Sequence, residues 1–188
     1  MKKTVVVLAE GFEEIEALTP IDVLRRAGLE VTVAGVGGTL ITGAHKVSVK
    51  CDVEVAAIEN DKFDCIVLPG GMPGAVNLRD SKSVSKLITS IYKAKGLVCA
   101  ICASPAVVLA PLGVLEDKLA VCYPGMEGCA PDVTFVGDVP VLQCRNVITS
   151  VGPGTASDFA FKIVEALASK KISDDLRHDM IYNMFYIS

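Results

Sequence analysis

The chain has 188 residues, of which 51% are hydrophobic, and its formal net charge is −4. This length fits a single domain spanning residues 1–188, and the apolar fraction is too high for a disordered chain. The basic residues are scattered along the sequence rather than gathered into a stripe, so we expect no nucleic-acid partner.

The amino-terminal residues form the first predicted strand. Its apolar run, Thr4 to Ala9, ends at Glu10 and is too short for a signal-peptide core or a membrane span. We therefore expect a cytoplasmic protein with no membrane partner. The seven cysteines are odd in number and lack CxxC spacing, which favours neither a disulfide framework nor a zinc site. Six of them are expected to be small buried core residues, and we expect no metal or cofactor.

The rest of the sequence alternates predicted strands and helices. Strands are expected at 4–9, 29–36, 39–42, 46–51, 63–68, 97–101, 118–122, 133–136, 139–144 and 146–151, and helices from 15 to Gly28, at 83–94, after Ser104-Pro105 and at 155–168. Pro20 should kink the first helix or start a second one. This alternation predicts an α/β fold with a doubly wound, mostly parallel sheet and helices on both faces.

The carboxy-terminal tail from 171 to 188 has an apolar stripe at helical spacing. Its members are Leu176, Met180, Ile181, Met184 and Phe185. Such a stripe is typical of core packing. The sequence leaves open whether the tail docks on its own subunit or on a neighbour.

Cys102 is the first candidate for chemistry because it lies between a buried strand and a helix. Ser104 is expected to cap that helix, with Pro105 in its first turn. A thiol beside a helix N-terminus is expected to have a lowered pKa and to favour thiolate. A cysteine at such a turn is equally typical of a small core residue, so the functional interpretation needs further support.

That support comes from Gly70 and Gly71, which end another buried strand. Consecutive glycines can turn backbone N–H groups toward the strand ends, where they would stabilise an oxyanion together with the N–H of Ala103. The alternative is a tight turn without a ligand. Glu16 has apolar neighbours, so we expect a partly buried carboxyl with a raised pKa that can donate a hydrogen bond to a thiolate.

The remaining charged residues carry weaker signals. Glu13 and Glu14 open the first predicted helix, where its dipole alone favours acidic side chains. The two histidines, His45 and His178, do not lie in segments aimed at the strand ends. This argues against a papain-like Cys–His pair.

Four segments together resemble the DJ-one/ThiJ/PfpI superfamily, and most of all its branch of the Parkinson-disease protein deglycase and bacterial relatives. They are AEGFEEIEALTPIDVLRRAG at 9–28, VLPGGMPGAVNL at 67–78, AICASP at 100–105 and VGPGTASDFAFKIVEAL at 151–167. The resemblance implies a flavodoxin-like fold and a homodimer. It also implies that Cys102 is the nucleophile and oxidation-sensitive thiol, that Glu16 is its protonated partner, and that Gly71 and Ala103 are the oxyanion donors.

The resemblance also assigns three outer residues. Arg26 matches an arginine near the dimer interface and the cysteine, and His45 matches an arginine that the second subunit contributes. Tyr123 replaces a histidine that precedes a proline in a member with glyoxalase activity. Tyrosine, with an ordinary pKa of about 10, is a poor base at neutral pH, so we expect weaker glyoxalase activity.

The implied function is a cysteine-dependent enzyme that acts, slowly, on reactive dicarbonyls or their adducts, as glyoxalases and deglycases do. One alternative is a redox-sensing, chaperone-like dimer in which Cys102 is oxidised without turnover. A second is a small amidase or peptidase, although those branches have a histidine directly after the nucleophile, where this chain has Ala103. The physiological substrate and the source organism stay open.

Overall fold

The computed structural model describes residues 2–182. The strands in this range are β1 Lys3–Leu8, β2 Glu30–Gly35, β3 Leu40–Thr42, β4 Ser48–Lys50, β5 Val53–Glu54, β6 Cys65–Leu68, β7 Leu97–Ile101, β8 Leu119–Ala120, β9 Thr134–Phe135, β10 Val141–Cys144 and β11 Val147–Ser150. The α-helices are α1 Glu14–Arg26, α2 Gly74–Asp80, α3 Lys82–Lys93, α4 Ala156–Leu167 and α5 Lys170–Asp179.

Seven strands form the central sheet in the order β10-β11-β7-β6-β1-β2-β5. All neighbouring pairs are parallel except β10 with β11 at one edge. From β1 the chain adds β2 and β5 on one side, and it then crosses to the other side of β1 to form β6 and β7, so the strand order reverses between β1 and β6. Right-handed crossovers in opposite directions place α1 and α3 on opposite faces of the sheet. The mostly parallel, doubly wound α/β sheet predicted from the sequence is confirmed.

The three central strands, β1, β6 and β7, are the easiest to predict because each is a continuous apolar run in the sequence. Every residue of β6 and β7 is buried, as is every residue of β1 after Lys3. Helices cover both faces of a parallel sheet, so its inner strands are continuous Val, Ile and Leu runs rather than alternating ones. The ends of these three strands determine where the candidate site lies.

Three local features differ from the sequence-based expectations or were not among them. α1 continues without a second start through Pro20. α2 was not predicted, because a seven-residue helix that begins at glycine shows no apolar repeat. The helix expected after Ser104 is a π-helical turn over 105–109 followed by a 3-10 turn over 110–112. Ser104 does not cap it, because its hydroxyl donates to the carbonyl of Pro69 at 2.6 Å.

The carboxy-terminal segment docks on its own chain as far as residue 182. Ser173 is buried in α5 and donates to the carbonyl of Phe161 in α4 at 2.9 Å. Asp158 accepts hydrogen bonds from Arg177 at 3.1 Å and from Tyr182 at 2.7 Å. Of the predicted stripe, Leu176 and Met180 pack against the core and Ile181 is exposed, whereas Met184 and Phe185 lie outside the described residues.

The cysteines do not all follow the core pattern. All seven are free, and five of them are buried. Cys129 is exposed because it ends a 3-10 turn, and Cys144 is half-buried because it ends the edge strand β10, so the buried-core prediction is wrong for these two. Among residues 2–182, no helix combines the length and apolar character needed to cross a membrane.

Candidate functional site

Glu16, Gly70 and Cys102 meet at the carboxyl edge of the sheet, beside the point where strand order reverses. They follow β1, β6 and β7, whose carboxyl ends are adjacent. A Cβ atom added to Gly70 would lie 2.6 Å from the Cβ of Cys102 and 2.9 Å from Oε2 of Glu16. These distances are too short for any side chain, so glycine at position 70 lets the three residues approach one another.

Cys102 occupies a sharp turn that is held from both sides. Its φ of +66° is in the left-handed region, which is uncommon for a residue with a side chain. Its N–H donates to the carbonyl of Ser150 at 2.9 Å, and its own carbonyl accepts from the N–H of Tyr123 at 2.8 Å. The N–H groups of Gly71 and Ala103 lie near its sulfur and act to lower its pKa. These contacts hold the Cys102 backbone in place, and only 9% of the residue is exposed.

The two glycines have different functions. Gly71 adopts a φ of +84°, and a Cβ atom there would lie 2.5 Å from the backbone nitrogen of Glu13. Its N–H lies near the Cys102 sulfur, and its assignment as an oxyanion donor stays a prediction. The N–H of Gly70 instead donates to Oε2 of Glu16 at 2.8 Å, so the expectation that Gly70 also supplies an oxyanion donor is wrong.

Glu16 is completely buried. Its Oε1 atom has no N–H or O–H partner among the described residues, while the carboxyl interacts with the Cys102 thiol. Burial raises the pKa of Glu16 to about 7, against the hydrogen bonds from Gly70 and Cys102, and the charge of Glu13 adds to the increase. The raised pKa expected from its apolar neighbours agrees with this environment.

The Cys102 thiol has a raised pKa rather than the lowered one expected from the sequence. Burial raises the pKa to about 12, and the negative charge and hydrogen bond of Glu16 act in the same direction. The N–H groups of Gly71 and Ala103 oppose this increase but do not reverse it. The π-helical turn after the cysteine does not overcome burial beside a carboxylate. Both pKa values are therefore raised by burial, and the Glu16 carboxyl and the Cys102 thiol influence each other.

Tyr123 and His45 lie on the outer side of this region. The aromatic ring of Tyr123 packs over Gly152, where an added Cβ would be 3.2 Å from Cδ2, and 47% of the residue is exposed. His45 binds Glu14 of the same chain, with Nδ1 2.8 Å from Oε2 and its N–H 2.7 Å from Oε1. The hydrogen bond and charge of Glu14 raise the pKa of His45.

Glu13, Glu14 and His45 are the residues whose spacing suits a metal ion. One donor atom from each lies within 4.8 Å of the others. Hydrogen bonds from the His45 ring and from the backbone of His45 and Val47 already occupy both Glu14 oxygens. The carboxylate oxygens of Glu14 and one carboxylate oxygen of Glu13 thus accept hydrogen bonds from the protein itself.

Arg26 does not lie beside Cys102 in this chain. Its Nε donates to Asp22 at 2.7 Å in the last turns of α1. Ten residues of helix separate it from Glu16, which corresponds to about 15 Å along the axis. The expected position of Arg26 near the dimer interface and the cysteine stays a prediction.

The sequence matches the model of the DJ-1/PfpI family over residues 2–166. The chain belongs to the DJ-1/PfpI family. Among its DJ-1 relatives, the Drosophila melanogaster protein dj-1beta is 44% identical over 172 residues, which cover 90% of this chain and 91% of the relative. The Caenorhabditis elegans glutathione-independent glyoxalase DJR-1.2 is 36% identical, with 89% of each chain covered.

Solved DJ-1 structures share the whole architecture. The oxidized Toxoplasma gondii DJ-1 superimposes with a TM-score of 0.93 at 39% identity, covering 97% of this chain and 100% of that one. Drosophila melanogaster DJ-1beta gives a TM-score of 0.92 at 41% identity, covering 96% and 97%. The flavodoxin-like fold implied by the resemblance is thus confirmed for this DJ-1/PfpI chain.

Sequence reasoning missed two supports of the DJ-1/PfpI site. Glu13 caps α1, since its Oε2 accepts the N–H of Glu16 at 2.8 Å, and its own N–H donates to the carbonyl of Gly70 at 3.0 Å. The sequence attributes Glu13 to the helix dipole, because glutamate is not among the residues typical of an N-cap position. Ser150 fixes the Cys102 backbone through its carbonyl, which no side-chain pattern could reveal.

Proposed function

We propose that this DJ-1/PfpI protein is a cytoplasmic, cysteine-dependent enzyme that acts on reactive dicarbonyls or their adducts with thiols and amines. The observation that carries the proposal is the position of the Cys102 sulfur, which lies near the N–H groups of Gly71 and Ala103 and beside the buried Glu16 carboxyl. The relative named as a glutathione-independent glyoxalase supports a 2-oxoaldehyde as substrate. Seven free cysteines are typical of a reducing compartment.

The first step forms a carbon–sulfur bond. The Glu16 carboxylate accepts the thiol proton while the Cys102 sulfur attacks the aldehyde carbon, and the carbonyl electron pair moves onto oxygen. The N–H groups that now contact the sulfur lie beside this new oxyanion and stabilise it. Removing one such donor typically costs about 2.7 to 4 kcal/mol of transition-state stabilisation. Gly70 contributes by holding the carboxylate in place.

The second step moves a proton between the two substrate carbons. The protonated Glu16 neutralises the alkoxide, and its carboxylate then removes the proton from the former aldehyde carbon to give an enediolate. The proton returns at the neighbouring carbon while the hydroxyl proton passes to the second oxygen, which leaves a thioester of a 2-hydroxy acid. Water adds to this thioester, the carbon–sulfur bond breaks, and Cys102 is regenerated without any oxidant.

Turnover is expected to be slow because Tyr123, whose N–H donates to the carbonyl of Cys102, occupies the position of a histidine in the glyoxalase-active family member. A positioned general acid–base typically contributes a factor on the order of 10² to 10⁴, and tyrosine supplies little of this at neutral pH. The Tyr123→His variant is therefore expected to raise the rate.

The test is methylglyoxal consumption coupled to the appearance of lactate. Cys102→Ser should abolish both, and Glu16→Ala should nearly do so. Cys129→Ser is the matched control, because it removes an exposed thiol outside the site and should keep the wild-type rate. If Cys102→Ser consumed methylglyoxal as fast as the wild type, after subtraction of free-thiol background, the enzymatic proposal would be wrong.

We also propose a homodimer, with the first helix and Arg26 near the interface. Ile15 and Leu18 support this, since 54% and 40% of these apolar residues are exposed on α1. In such a dimer the exposed His45 would face the partner's cleft. Light scattering should give twice the chain mass of 19.8 kDa, and Ile15→Lys should shift it toward the monomer. A wild-type monomer at micromolar concentration would contradict the proposal.

A redox sensor is the second candidate, because the same two N–H groups would also stabilise oxygen atoms added to the sulfur. The solved Toxoplasma gondii relative is described as oxidized, which favours this chemistry in the family. The methylglyoxal assay separates the two candidates. A protein in which peroxide oxidises Cys102 but no lactate forms would be a sensor rather than an enzyme.

A further inference from the structure

The amino-terminal edge of the sheet carries a cleft built from turns that are far apart in sequence. One cavity of about 420 Å³ extends from Lys2 and Asp64 to Lys95 and Arg145. A second cavity of about 510 Å³ is lined by Tyr92, Lys93, Lys95, Arg145 and Asn146. The two share Lys95, Arg145 and Asn146, so they adjoin, and together we call them the basic cleft.

The basic cleft concentrates positive charge in a chain whose net charge is −4. Its ionisable lining consists of four cations, from Lys2, Lys93, Lys95 and Arg145, and a single acidic side chain, Asp64. Asp64 is already occupied, since one oxygen pairs with Lys2 at 2.9 Å and the other accepts the N–H of Lys3 at 2.8 Å.

Unlike Lys2, the other three cations of the basic cleft are not paired with a carboxylate among residues 2–182. Within residues 2–182, no carboxylate lies within ion-pair distance of Lys93, Lys95 or Arg145. Three positive charges therefore face a concave surface, where they reinforce one another and attract anions.

The backbone fixes two of these cations relative to each other. Lys95 ends the turn after α3 with a φ of +60°, and Arg145 lies in the β10–β11 turn with a φ of +55°. Asn146 joins the two turns, because its side-chain amide donates to the carbonyl of Gly96 at 2.8 Å and its carbonyl accepts the N–H of Val98 at 2.9 Å. The positions from which the charged side chains extend are thus set before any ligand arrives, which lowers the entropic cost of binding.

We propose that the basic cleft binds a small phosphate-bearing molecule. Guanidinium groups pair with phosphate oxygens through two parallel hydrogen bonds, and ammonium groups add point charges, so Arg145 with Lys93 and Lys95 suits this chemistry. Cavities of this size are typical of small-ligand sites, whereas nucleic acids need an extended basic stripe.

The basic cleft is separate from the Cys102 site. Leu97, at the start of β7, lines the cleft, and Cys102 directly follows the end of the same strand. Five residues of strand correspond to about 16 Å. Binding in the cleft therefore does not depend on the chemistry proposed for Cys102, and it can be tested without an activity assay.

The experiment is calorimetric titration with inorganic pyrophosphate, together with amide chemical shifts of the same proteins. We expect binding that weakens as salt is added, with shifts centred on Gly96 and Asn146. Arg145→Gln and Lys95→Gln should each raise the dissociation constant about tenfold, as for loss of one charge-assisted hydrogen bond. Arg145→Lys should restore part of the affinity, since it returns the charge but not the paired geometry.

Lys46→Gln is the matched control, because Lys46 is also exposed in a left-handed turn, with a φ of +71°, but does not line the cleft. It should bind pyrophosphate as the wild type does. Absence of binding, or equal binding by all the variants, would overturn the proposal. Single-stranded DNA or anionic vesicles bound through Lys95 and Arg145, with pyrophosphate unable to compete, would also overturn it and identify a macromolecular surface instead.

Discussion

Replacing Glu16 with glutamine should stabilise the protein at alkaline pH and leave it nearly unchanged at acid pH. The folded-state pKa of about 7 lies above the ordinary value of 4.5, so the folded protein binds the Glu16 proton more tightly than the unfolded chain does. Stability contributed by the protonated carboxyl is complete below pH 4.5 and is lost as the pH rises through about 7. A shift of this size corresponds to about 3 kcal/mol.

Glutamine removes this loss while preserving the local contacts. Its amide oxygen can still accept the N–H of Gly70, and its amide nitrogen replaces Oε1, which has no N–H or O–H partner among the described residues. Urea unfolding at pH 4 and pH 8 measures the effect, with Glu54→Gln as an exposed control. We expect Glu16→Gln to raise the free energy of unfolding by about 3 kcal/mol at pH 8 relative to the wild type. An equal effect at both pH values would refute the raised pKa.

The remaining predictions concern the thiol and its neighbouring glycine. Alkylation of Cys102 by iodoacetamide should accelerate as the pH rises through about 7, because the Glu16 carboxylate accepts the thiol proton, and a rate already maximal at pH 5 would contradict this. Gly70→Ala should slow alkylation and cost roughly 1 to 3 kcal/mol of stability through overpacking, whereas Gly137→Ala, which meets no atom within 4 Å, should do neither. Because the Glu16 carboxylate can accept the thiol proton as a sulfur–oxygen bond forms, peroxide above about pH 7 should add oxygen to Cys102 first, and peptide mass spectrometry that finds the exposed Cys129 modified earlier would contradict this.

The position of the site could be predicted because it depends on strand ends. β1, β6 and β7 are continuous apolar runs, and the residues that follow them must meet at one edge of a parallel sheet. Cys102 directly follows β7, and Gly71 lies three residues after the end of β6. Glu16 could be added from its apolar neighbours, since a carboxyl on the buried face of a helix is expected to have a raised pKa.

The direction of the Cys102 pKa shift could not be predicted in this way. The sequence suggests a helix N-terminus after the cysteine, but the opposing contributions depend on how deeply the sulfur is buried and how close the Glu16 carboxylate lies. Both quantities come from packing between β6, β7 and α1. The same limit applies to the basic cleft, because Lys2, Lys95 and Arg145 belong to separate segments that look scattered until the sheet brings their turns together.

The raised pKa of Cys102 determines when its thiolate can form in the proposed reaction. A permanent thiolate would react with any oxidant that reached it, because the thiolate is the nucleophilic form. In the mechanism proposed above, burial and the Glu16 charge raise the pKa of Cys102, so the nucleophile forms only as Glu16 accepts the proton during attack. The N–H groups of Gly71 and Ala103 then stabilise the charge that appears. In that mechanism a substrate carbonyl supplies the oxyanion that these donors stabilise, so the donors favour molecules that react with the sulfur.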